Sequence, residues 1–598
     1  MKSVDERLAS RIAAALIFVA AFFVFWLSPV YEGGDSKYSM LVSESLLQHG
    51  TVRLDAYRIP RLLPKYGEDH IQNGDMYQLD IVGDHLYHFF PPGSPVLSAP
   101  YVALMNASGV SAANPDQTFN EKGEETIQRS LAALLMALLA VIFFKTSRML
   151  LPVGWSAVVA LGGAFGTQIW STASRAVWSQ TWEALLLGIV LWMLLAQELD
   201  RRRLNPVLLA SLLAWLYFVR PPSSVFILAI SCYVFIFYRR AIIPYALTGA
   251  LWFAGFVAYS RHNYGQMLPH YYIASRLRFE VFWTALAGNL ISPSRGFFVF
   301  VPTLFFVFYL LARYRCEQAF RSLVRLALIA MLCHLIVTAC FAHWWGGSSY
   351  GARMTMDSVP WIVLLAILGI DAMLRWRAAN EARLSFLNRR APLVAGALLL
   401  SFSVFVNARG ALAYETARWN SMPRSYDQWQ RLLWDWRHPQ FLAGWFKRPL
   451  LQDYQNVPPR IDFTSATADA YLWYGWSGAE DEFRWNDTRE AALVFALNDV
   501  TDVVLQIRMA PFLAPGKVER QRVNVMLNDQ RVAALELREP VENTYSIRLP
   551  GGVLRRQNQL VFELPDASAP RDLGVGDDPR FLAIRVAWIN FQTPDSAQ

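Results

Sequence analysis

Long apolar runs separated by short basic segments dominate the first two thirds of the chain. A helix needs about 20 residues to cross the hydrocarbon core of a membrane, and most of the runs are close to that length. They predict eleven spanning helices, near residues 12–30, 127–144, 153–171, 176–197, 204–219, 222–238, 242–260, 296–312, 322–342, 358–374 and 391–410. The pattern therefore predicts a polytopic α-helical membrane domain over residues 1–410.

The basic residues between these runs indicate the orientation of the helices. Most of them fall on the same side as the N-terminus, in clusters at Lys145 and Arg148, at 201–203, at 239–240, at 313–321 and at 375–390. Cytoplasmic loops are enriched in Lys and Arg, so that side is predicted to be cytoplasmic. The large loop 31–126 and everything after residue 410 are then predicted to face outward.

Past residue 410 the pattern changes twice. Residues 411–459 carry many tryptophans among charges, which is typical of sequence in the headgroup layer and predicts an interfacial linker. From 460 to 598, short alternating runs such as "DVVLQIRM", "RVNVMLND" and "NQLVFELP" are separated by Gly, Pro, Asn and Asp. This spacing predicts a C-terminal all-β sandwich of jelly-roll type, with "LNDQ" as a hairpin turn.

Composition agrees with a membrane protein and excludes other classes. Of 598 residues, 54% are hydrophobic, which is too apolar for an ordinary soluble chain of this length. The formal charge of +8 does not indicate a nucleic-acid binder, because the basic residues lie in short clusters between apolar runs. The four cysteines lie in or beside apolar segments, so neither a disulfide framework nor a thiolate metal cluster is predicted.

The first candidate for chemistry is Asp35, in the stretch "YEGGDSKY" directly after the first apolar run. Glycines before it allow the backbone to approach a ligand, and "SKYSMLVSESLLQHG" then predicts an amphipathic helix on the membrane surface. A carboxylate at this depth can meet a membrane-borne and a water-borne substrate together. The alternative interpretation is a solvated turn residue.

Arginines on the outer side form the second group of candidates. Arg220, Arg295 in "SPSRGFFVFVP" and Arg353 in "HWWGGSSYGARMTMDSVP" break the positive-inside pattern, which suggests that they bind an anion. Phosphate is a natural partner for a guanidinium. His343 and Tyr350 lie in the same motif as Arg353. The alternative is that these side chains only reach toward lipid headgroups.

Two further sets of polar residues leave alternatives open. Asp80, Asp84, His85 and His88 lie within "LDIVGDHLYH" at spacings that suit a divalent ion. An ordinary polar loop is the preferred interpretation, so no metal ligand is predicted and a divalent metal stays an open alternative. Glu183 lies about one turn inside the outer boundary, either paired with Arg175 or lining an acceptor cavity.

The order of motifs resembles that of a known superfamily. The acid of "GGDSKYSMLVSESLLQHG" is followed by "FFPPGSPVL", "AVWSQTWEALLLGIVL", "LYFVRPP", "SRHNYGQMLPHYY", "LISPSRGFFVFVP" and "WWGGSSYGARMTMDSVP". Over residues 12–410 this order resembles the polytopic membrane glycosyltransferases of the GT-C superfamily, nearest to bacterial aminoarabinose transferases and protein O-mannosyltransferases. The resemblance implies a polyprenyl-phosphate-linked sugar as donor, an envelope acceptor, and a place in the bacterial inner membrane with the C-terminal domain in the periplasm.

The resemblance also implies roles for individual residues. The acid after the first helix is thought to activate the acceptor, so Asp35 is the predicted catalytic base. The sequence departs from the family pattern at two places near the predicted site. Asp35 is followed by Ser36 and Lys37, which puts a two-carboxylate site in doubt, and Phe89-Phe90 precede the proline pair where a lysine is frequent. A phosphate contact from that loop must then come from elsewhere, with His88 as a candidate.

The sequence therefore predicts an inverting glycosyltransferase without a resident cofactor. The predicted phosphate-binding residues are Arg295, Arg353, Arg220 and His343, and the predicted substrate-binding residues are Tyr38, His88, Tyr350 and Glu183. Two other classes stay open: a transporter or flippase of lipid-linked sugars, and a non-catalytic glycan-binding or assembly protein. The β-sandwich resembles carbohydrate-binding or accessory modules, but a sandwich hosts many functions.

Overall fold

The computed structural model describes residues 4–59, 77–200, 203–272, 277–380, 386–420, 430–445, 455–576, 578 and 580–592. The chain divides into two compact units. One holds the described residues up to 420 together with 430–445, and the other holds the described residues from 455 onward.

The regular elements in the described residues of the first unit are helices and one small hairpin. Its elements are α1 (Val4–Leu27), α2 (Ser39–His49), β1 (Leu79–Val82), β2 (His85–His88), α3 (Gly93–Ala107), α4 (Glu121–Ser147), α5 (Val153–Phe165), α6 (Ser179–Glu198), α7 (Pro206–Val219), α8 (Ser224–Phe237), α9 (Ile242–Tyr264), α10 (Phe282–Ile291), α11 (Phe297–Phe300), α12 (Thr303–Arg313), α13 (Arg321–Ala339), α14 (Val359–Ala379), α15 (Phe386–Leu412) and α16 (Tyr414–Arg418). Strands β1 and β2 pair antiparallel.

Each of the eleven predicted apolar segments contains a helix. Within the described ranges, seven helices are long and apolar enough to cross a membrane. Four predicted spans, α5, α7, α8 and α12, are shorter helices of 11 to 14 residues. Proline explains part of the difference, because Pro221 and Pro222 separate α7 from α8 and Pro302 precedes α12. The fold class is thus a polytopic helical unit followed by a β-sheet unit.

The described part of loop 31–126, which the sequence predicts to face outward, is packed against the helices more tightly than the sequence indicates. Residues Ser39–Ser45 of α2 are all buried, so this helix does not simply lie on a membrane surface as predicted. The Glu124 carboxylate accepts hydrogen bonds from the backbone N–H groups of Met40 and Leu41, at 3.2 and 3.1 Å. Since the first N–H groups of a helix have no partner within it, this contact stabilises the start of α2.

The Pro91-Pro92-Gly93 corner fixes the start of α3 against the end of α7. A Cβ atom on Gly93 would lie 2.5 Å from the backbone carbonyl carbon of Phe218. Only glycine therefore permits this approach of the two backbones. The corner holds the segment after β2 beside the residues that precede Arg220.

Part of the predicted interfacial linker belongs to the helical unit. The Gln440 side chain is buried, and its Nε2 donates to the carbonyl of Thr416 at 3.0 Å. Its Oε1 accepts from the backbone N–H of Gly351 at 3.0 Å. Residues 430–445 are thus an integral piece of this unit, whereas 421–429 and 446–454 of the predicted linker lie outside the described residues.

The second unit consists of two antiparallel sheets. Its strands are β3 (Arg460–Asp462), β4 (Leu472–Tyr474), β5 (Arg484–Trp485), β6 (Glu490–Ala496), β7 (Val503–Pro511), β8 (Gln521–Leu527), β9 (Gln530–Leu537), β10 (Asn543–Leu549), β11 (Gln557–Glu563) and β12 (Ile584–Gln592). One sheet has the order β10-β7-β12-β3, with β5 also pairing β12, and the other has the order β4-β6-β11-β8-β9. Inward residues of both sheets, such as Leu493 and Ile507, share one core.

The "LNDQ" prediction is confirmed as the hairpin between β8 and β9. Asn528 and Asp529 form the two-residue loop and have φ values of 49° and 69°. Two successive positive φ values are what a type I′ turn requires, and Asn and Asp tolerate them better than most residues.

Candidate active site

An open pocket lies where the loop after α1 meets the ends of the helices. It collects residues from five separate stretches of the chain. Its lining residues are Asp35, Ser36, Ser39, His88, Phe90, Pro91, Ser94, Pro95, Val177, Trp178, Ser179, Tyr271 and Arg353. Three residues that the sequence singles out independently, Asp35, His88 and Arg353, therefore meet in one place.

Asp35 is held by two donors on its two carboxylate oxygens. The Tyr77 hydroxyl donates to Oδ1 at 3.0 Å, and Nη2 of Arg353 donates to Oδ2. Burial, with a smaller contribution from Asp35, raises the pKa of Tyr77 well above its ordinary value, so this hydroxyl stays protonated and can donate. The Asp35 side chain is still 25% exposed. It is therefore oriented by the protein and open to a ligand.

Arg353 is buried to nine tenths and is fixed on three sides. It begins the short 3₁₀ turn Arg353–Ser358, its Nη1 donates to the carbonyl of Gly346 at 3.0 Å, and its guanidinium lies 3.8 Å from the centre of the Trp178 ring. This stacking restrains the plane of the guanidinium. Its Nε has no hydrogen-bond partner among the described residues. One donor of this cation is thus free for a ligand.

A buried charge cluster supports the turn that carries Arg353. Arg220 Nε lies 2.8 Å from Asp357 Oδ2 and 3.0 Å from Glu183 Oε2, and His334 Nε2 lies 2.9 Å from the same Asp357 oxygen. Asp357 belongs to the same 3₁₀ turn as Arg353. The cluster therefore ties that turn to α6, α13 and the end of α7.

This cluster changes the interpretation of two predicted site residues. Arg220 is committed to two carboxylates, and its Nη1 also lies 3.4 Å from Oγ of Ser179, which lines the pocket. Glu183 pairs with Arg220, whereas the sequence left open a pairing with Arg175 or a place on a cavity wall. Arg175 instead donates to the backbone carbonyls of Ser28 and Phe25.

Arg295 lies outside the pocket, and its guanidinium is hydrogen-bonded to other parts of the protein. Its guanidinium donates to the carbonyls of Trp345 and Ser294, at 2.9 and 2.7 Å, and to the side chains of Asn420 and Gln440. The bond to Gln440 joins the 430–445 segment to the rest of the helical unit. The predicted phosphate contact from Arg295 is therefore not supported by its position.

Three other predicted site residues also lie outside the pocket lining. His343 is exposed and stands beside the Trp345 ring at 5.2 Å. Tyr350 is fully buried and donates its hydroxyl to the carbonyl of Val406 at 2.6 Å. Tyr38 is buried at the start of α2, with its ring 4.6 Å from that of Phe119. None of the three is among the residues that line the pocket with Asp35.

The acids and histidines of "LDIVGDHLYH" pair with residues from elsewhere. Asp80 contacts His270 and His85 contacts Asp55, each at 2.7 Å, while Asp84 is exposed. In the part of the chain that the structure describes, no group of three His, Cys, Asp or Glu side chains is arranged to hold a metal ion.

Some pocket residues were not singled out from the sequence. Trp178 and Ser179 lie in the quoted motif "AVWSQTWEALLLGIVL", and Tyr271 lies in "SRHNYGQMLPHYY". The motifs thus indicated which segments form the site, but a linear pattern does not show which residues of each segment line the pocket. No pattern in the sequence pointed to Tyr77, because folding is what brings its hydroxyl to Asp35, 42 residues away in the chain.

Glu32 is a buried carboxyl group three residues before Asp35. Its Oε2 accepts from the backbone N–H of Tyr350 at 3.4 Å, and its Oε1 has no partner among the described residues. Burial raises the pKa of Glu32 to about 7, although the Tyr350 bond and Arg295 act in the opposite direction. The group lies past the end of α1 and outside the spanning helices.

We expect Glu32 to make the helical unit less stable as the pH rises from about 5 to about 7.5. In that window the Glu32 carboxyl group has lost its proton in the unfolded chain but keeps it in the folded protein. The free energy of unfolding therefore falls by about 3 kcal/mol across the window. Thermal unfolding at pH 5 and pH 8 should show a smaller pH dependence in Glu32→Gln than in the wild type. Glu121→Gln, which removes an exposed acid of the same unit, is the control. Equal pH dependence in Glu32→Gln and wild type would contradict the expectation.

Comparisons with known proteins return distant structural likenesses. No protein-family model matches the chain, and no curated protein matches it. The apo oligosaccharyltransferase of Archaeoglobus fulgidus is 11% identical, over 74% of this chain and 62% of its own length, with a TM-score of 0.40. ArnT from Cupriavidus metallidurans in the apo state is 12% identical, over 68% and 79% of the two chains, with a TM-score of 0.37.

A third match is a family 35 carbohydrate binding module from an environmental isolate. It is 15% identical and covers 21% of this chain and 77% of the module, with a TM-score of 0.13. The first two matches are GT-C membrane glycosyltransferases, the superfamily that the motif order resembles. The chain spans about three fifths of the oligosaccharyltransferase. Because all three TM-scores are below 0.5, these likenesses carry no argument about activity.

Proposed function

We propose that this protein is a glycosyltransferase that moves a sugar from a polyprenyl-phosphate-linked donor to an acceptor hydroxyl at the outer face of the membrane. The observation that carries the proposal is the pocket in which Asp35 and Arg353 meet, directly after the apolar helix α1. A partly exposed carboxylate and a guanidinium with a free donor are the two charged groups that this reaction needs.

The reaction proceeds as one displacement at the anomeric carbon. The acceptor oxygen forms a bond to that carbon, the bond from the carbon to the phosphate oxygen breaks, and Asp35 takes the proton of the acceptor hydroxyl. The electron pair leaves with the polyprenyl phosphate, whose charge Arg353 stabilises. A single displacement inverts the configuration at the anomeric carbon. A retained configuration in the product, measured by NMR, would contradict this mechanism.

The membrane placement belongs to the same proposal. The basic clusters assign the N-terminus to the cytoplasm, so the pocket and the β unit face the periplasm of a bacterial inner membrane. A lipid-linked donor then reaches Asp35 from the bilayer, and a lipid, glycan or protein acceptor reaches it from water. The donor itself supplies the phosphate that Arg353 binds, and the mechanism uses no resident cofactor.

The direct test uses purified wild-type protein in lipid nanodiscs. A panel of polyprenyl-phosphate sugars is offered with cell-envelope acceptors, and both donor binding and donor consumption are measured. We expect one donor to be bound and consumed, with the sugar appearing on an acceptor. Donor that binds and crosses the bilayer of a liposome intact would favour a transporter. Failure to bind any donor in the panel would contradict the proposal.

Arg353→Gln should weaken donor binding about 10- to 100-fold, because the variant loses a charge-assisted contact with the phosphate. Its affinity for polyprenyl phosphate without a sugar should fall to the same extent. Arg313→Gln is the matched control, since Arg313 lies at the C-terminal end of α12 and is not part of the pocket. Unchanged affinity of Arg353→Gln for both lipids would mean that the phosphate binds elsewhere.

A further inference from the structure

Three polar side chains in the pocket have polar atoms without a hydrogen-bond partner among the described residues. His88 is the last residue of β2, Ser39 is the first residue of α2, and Ser94 is in the first turn of α3. All three are more than nine tenths buried and line the pocket that holds Asp35. Both ring nitrogens of His88 and both serine hydroxyls make no hydrogen bond with the described residues. Buried polar atoms are nearly always paired with protein or water, so four unpaired atoms in one pocket favour the binding of a polar ligand there.

The imidazole of His88 suits a neutral ligand group. Backbone carbonyls of Lys37, Asp35 and Phe90 lie beside the ring, but they do not complete a bond of good geometry. Burial lowers the pKa of His88 to about 4, although these carbonyls and the Asp35 charge favour the protonated form. At neutral pH the ring therefore offers one N–H donor and one acceptor nitrogen. A sugar hydroxyl matches that pair, whereas an anionic phosphate oxygen uses only the donor.

The surroundings agree with a sugar ring. Each serine hydroxyl both donates and accepts, as His88 does. The rings of Phe90 and Tyr271 also line the pocket, with their centres 5.3 Å apart. Aromatic faces offer apolar contact area of the kind that the C–H face of a sugar can cover.

We propose that His88, Ser39 and Ser94 form a sugar-binding subsite that hydrogen-bonds hydroxyl groups of an uncharged sugar ring, while the phosphate lies at Arg353. This inference rests on the proposed function, because it assigns two parts of the same donor to two parts of one pocket. It also changes the role of His88, which the sequence offered as a phosphate contact. Specificity for the sugar then comes from these three residues.

The test compares two lipids that differ only in the sugar. Polyprenyl phosphate carrying a neutral hexose and the same polyprenyl phosphate without it are titrated into wild type and variants in nanodiscs. We expect Ser39→Ala and Ser94→Ala each to weaken binding of the sugar-bearing lipid about three- to tenfold, and His88→Leu about tenfold. All three variants should bind the sugar-free lipid as the wild type does.

Ser43→Ala is the matched control. Ser43 lies one turn after Ser39 in α2, is buried, and already donates to the carbonyl of Pro95 at 2.7 Å. This variant should bind both lipids normally but unfold at a lower temperature, because it loses a made hydrogen bond. Ser39→Ala and Ser94→Ala remove unpaired hydroxyls and should keep or raise the unfolding temperature of the unliganded protein.

The outcomes separate the two proposals. If the wild type binds neither lipid, the proposed function fails, and the subsite fails with it. If the wild type binds and consumes the sugar-bearing lipid while the three variants bind it normally, only the subsite assignment is overturned. Equal losses for the sugar-bearing and the sugar-free lipid would also overturn it, because His88 and the serines would then act on the phosphate.

Discussion

Asp35→Asn is expected to lower the rate of sugar transfer by about 10²- to 10⁴-fold, the usual contribution of a general base. The asparagine oxygen can still accept from Tyr77 or Arg353, so the pocket keeps its shape. The asparagine side chain, however, has no basic oxygen that could take the proton of the acceptor hydroxyl. Donor affinity should therefore stay within a few-fold of the wild type. Single-turnover donor consumption and donor binding in nanodiscs measure the two quantities separately.

Asp84→Asn is the control for this prediction. Asp84 is an exposed acid in the turn between β1 and β2 and does not line the pocket. It should leave both rate and affinity unchanged. A variant at Asp35 that transfers sugar at the wild-type rate would remove this carboxylate from the chemistry. Loss of donor binding together with the rate would instead indicate a role in binding.

Arg220→Met is expected to lower the free energy of unfolding by about 3–5 kcal/mol. The substitution leaves the carboxylates of Glu183 and Asp357 buried without their cation, and an unpaired buried charge is costly. Thermal or denaturant unfolding followed by tryptophan fluorescence would measure the effect. Adding Glu183→Gln to Arg220→Met should recover part of the loss, since it removes one of the stranded charges.

Lys37→Met is the comparison for Arg220→Met. Lys37 pairs with Glu121 at 3.4 Å, but the two side chains are 39% and 66% exposed. An exposed pair of this kind contributes less than about 1 kcal/mol. Similar losses in Lys37→Met and Arg220→Met would contradict the view that burial makes the Arg220 cluster important.

The hydrophobic pattern located the helices well because it is a local property. Spanning segments require long apolar runs, so each of the eleven predicted segments contains a helix. The lengths of α7, α8 and α12 were less predictable, because prolines interrupt or start helices at positions that hydropathy alone does not resolve. The alternation of apolar and polar residues after 460 is an equally local property and predicted the strands. Two residues, Asn528 and Asp529, were enough to place the "LNDQ" turn.

The site was only partly predictable, because the contacts that form it join segments far apart in the sequence. Arg220, Arg295 and Arg353 look alike in the sequence, since each is an arginine that is predicted to face outward and lies within two residues of a proline or glycine. In the structure Arg220 is committed to carboxylates and Arg295 makes structural bonds to carbonyls and amides. Arg353 alone among these three keeps an unpaired donor in a pocket of the described residues. Partners of a buried charge come from distant segments, which a linear pattern does not bring together.

The sequence by itself therefore determined the class of protein: a membrane-spanning helical unit, a β unit after it, and a conspicuous acid after the first helix. Apolar runs, alternation and basic clusters are short-range features, and each constrains its own segment. Only the tertiary structure decided that Asp35 meets Arg353 from 318 residues away. It likewise decided that His88, Ser39 and Ser94 share one pocket with unpaired polar atoms. Packing decides which polar groups find partners inside the protein and which are left for a ligand.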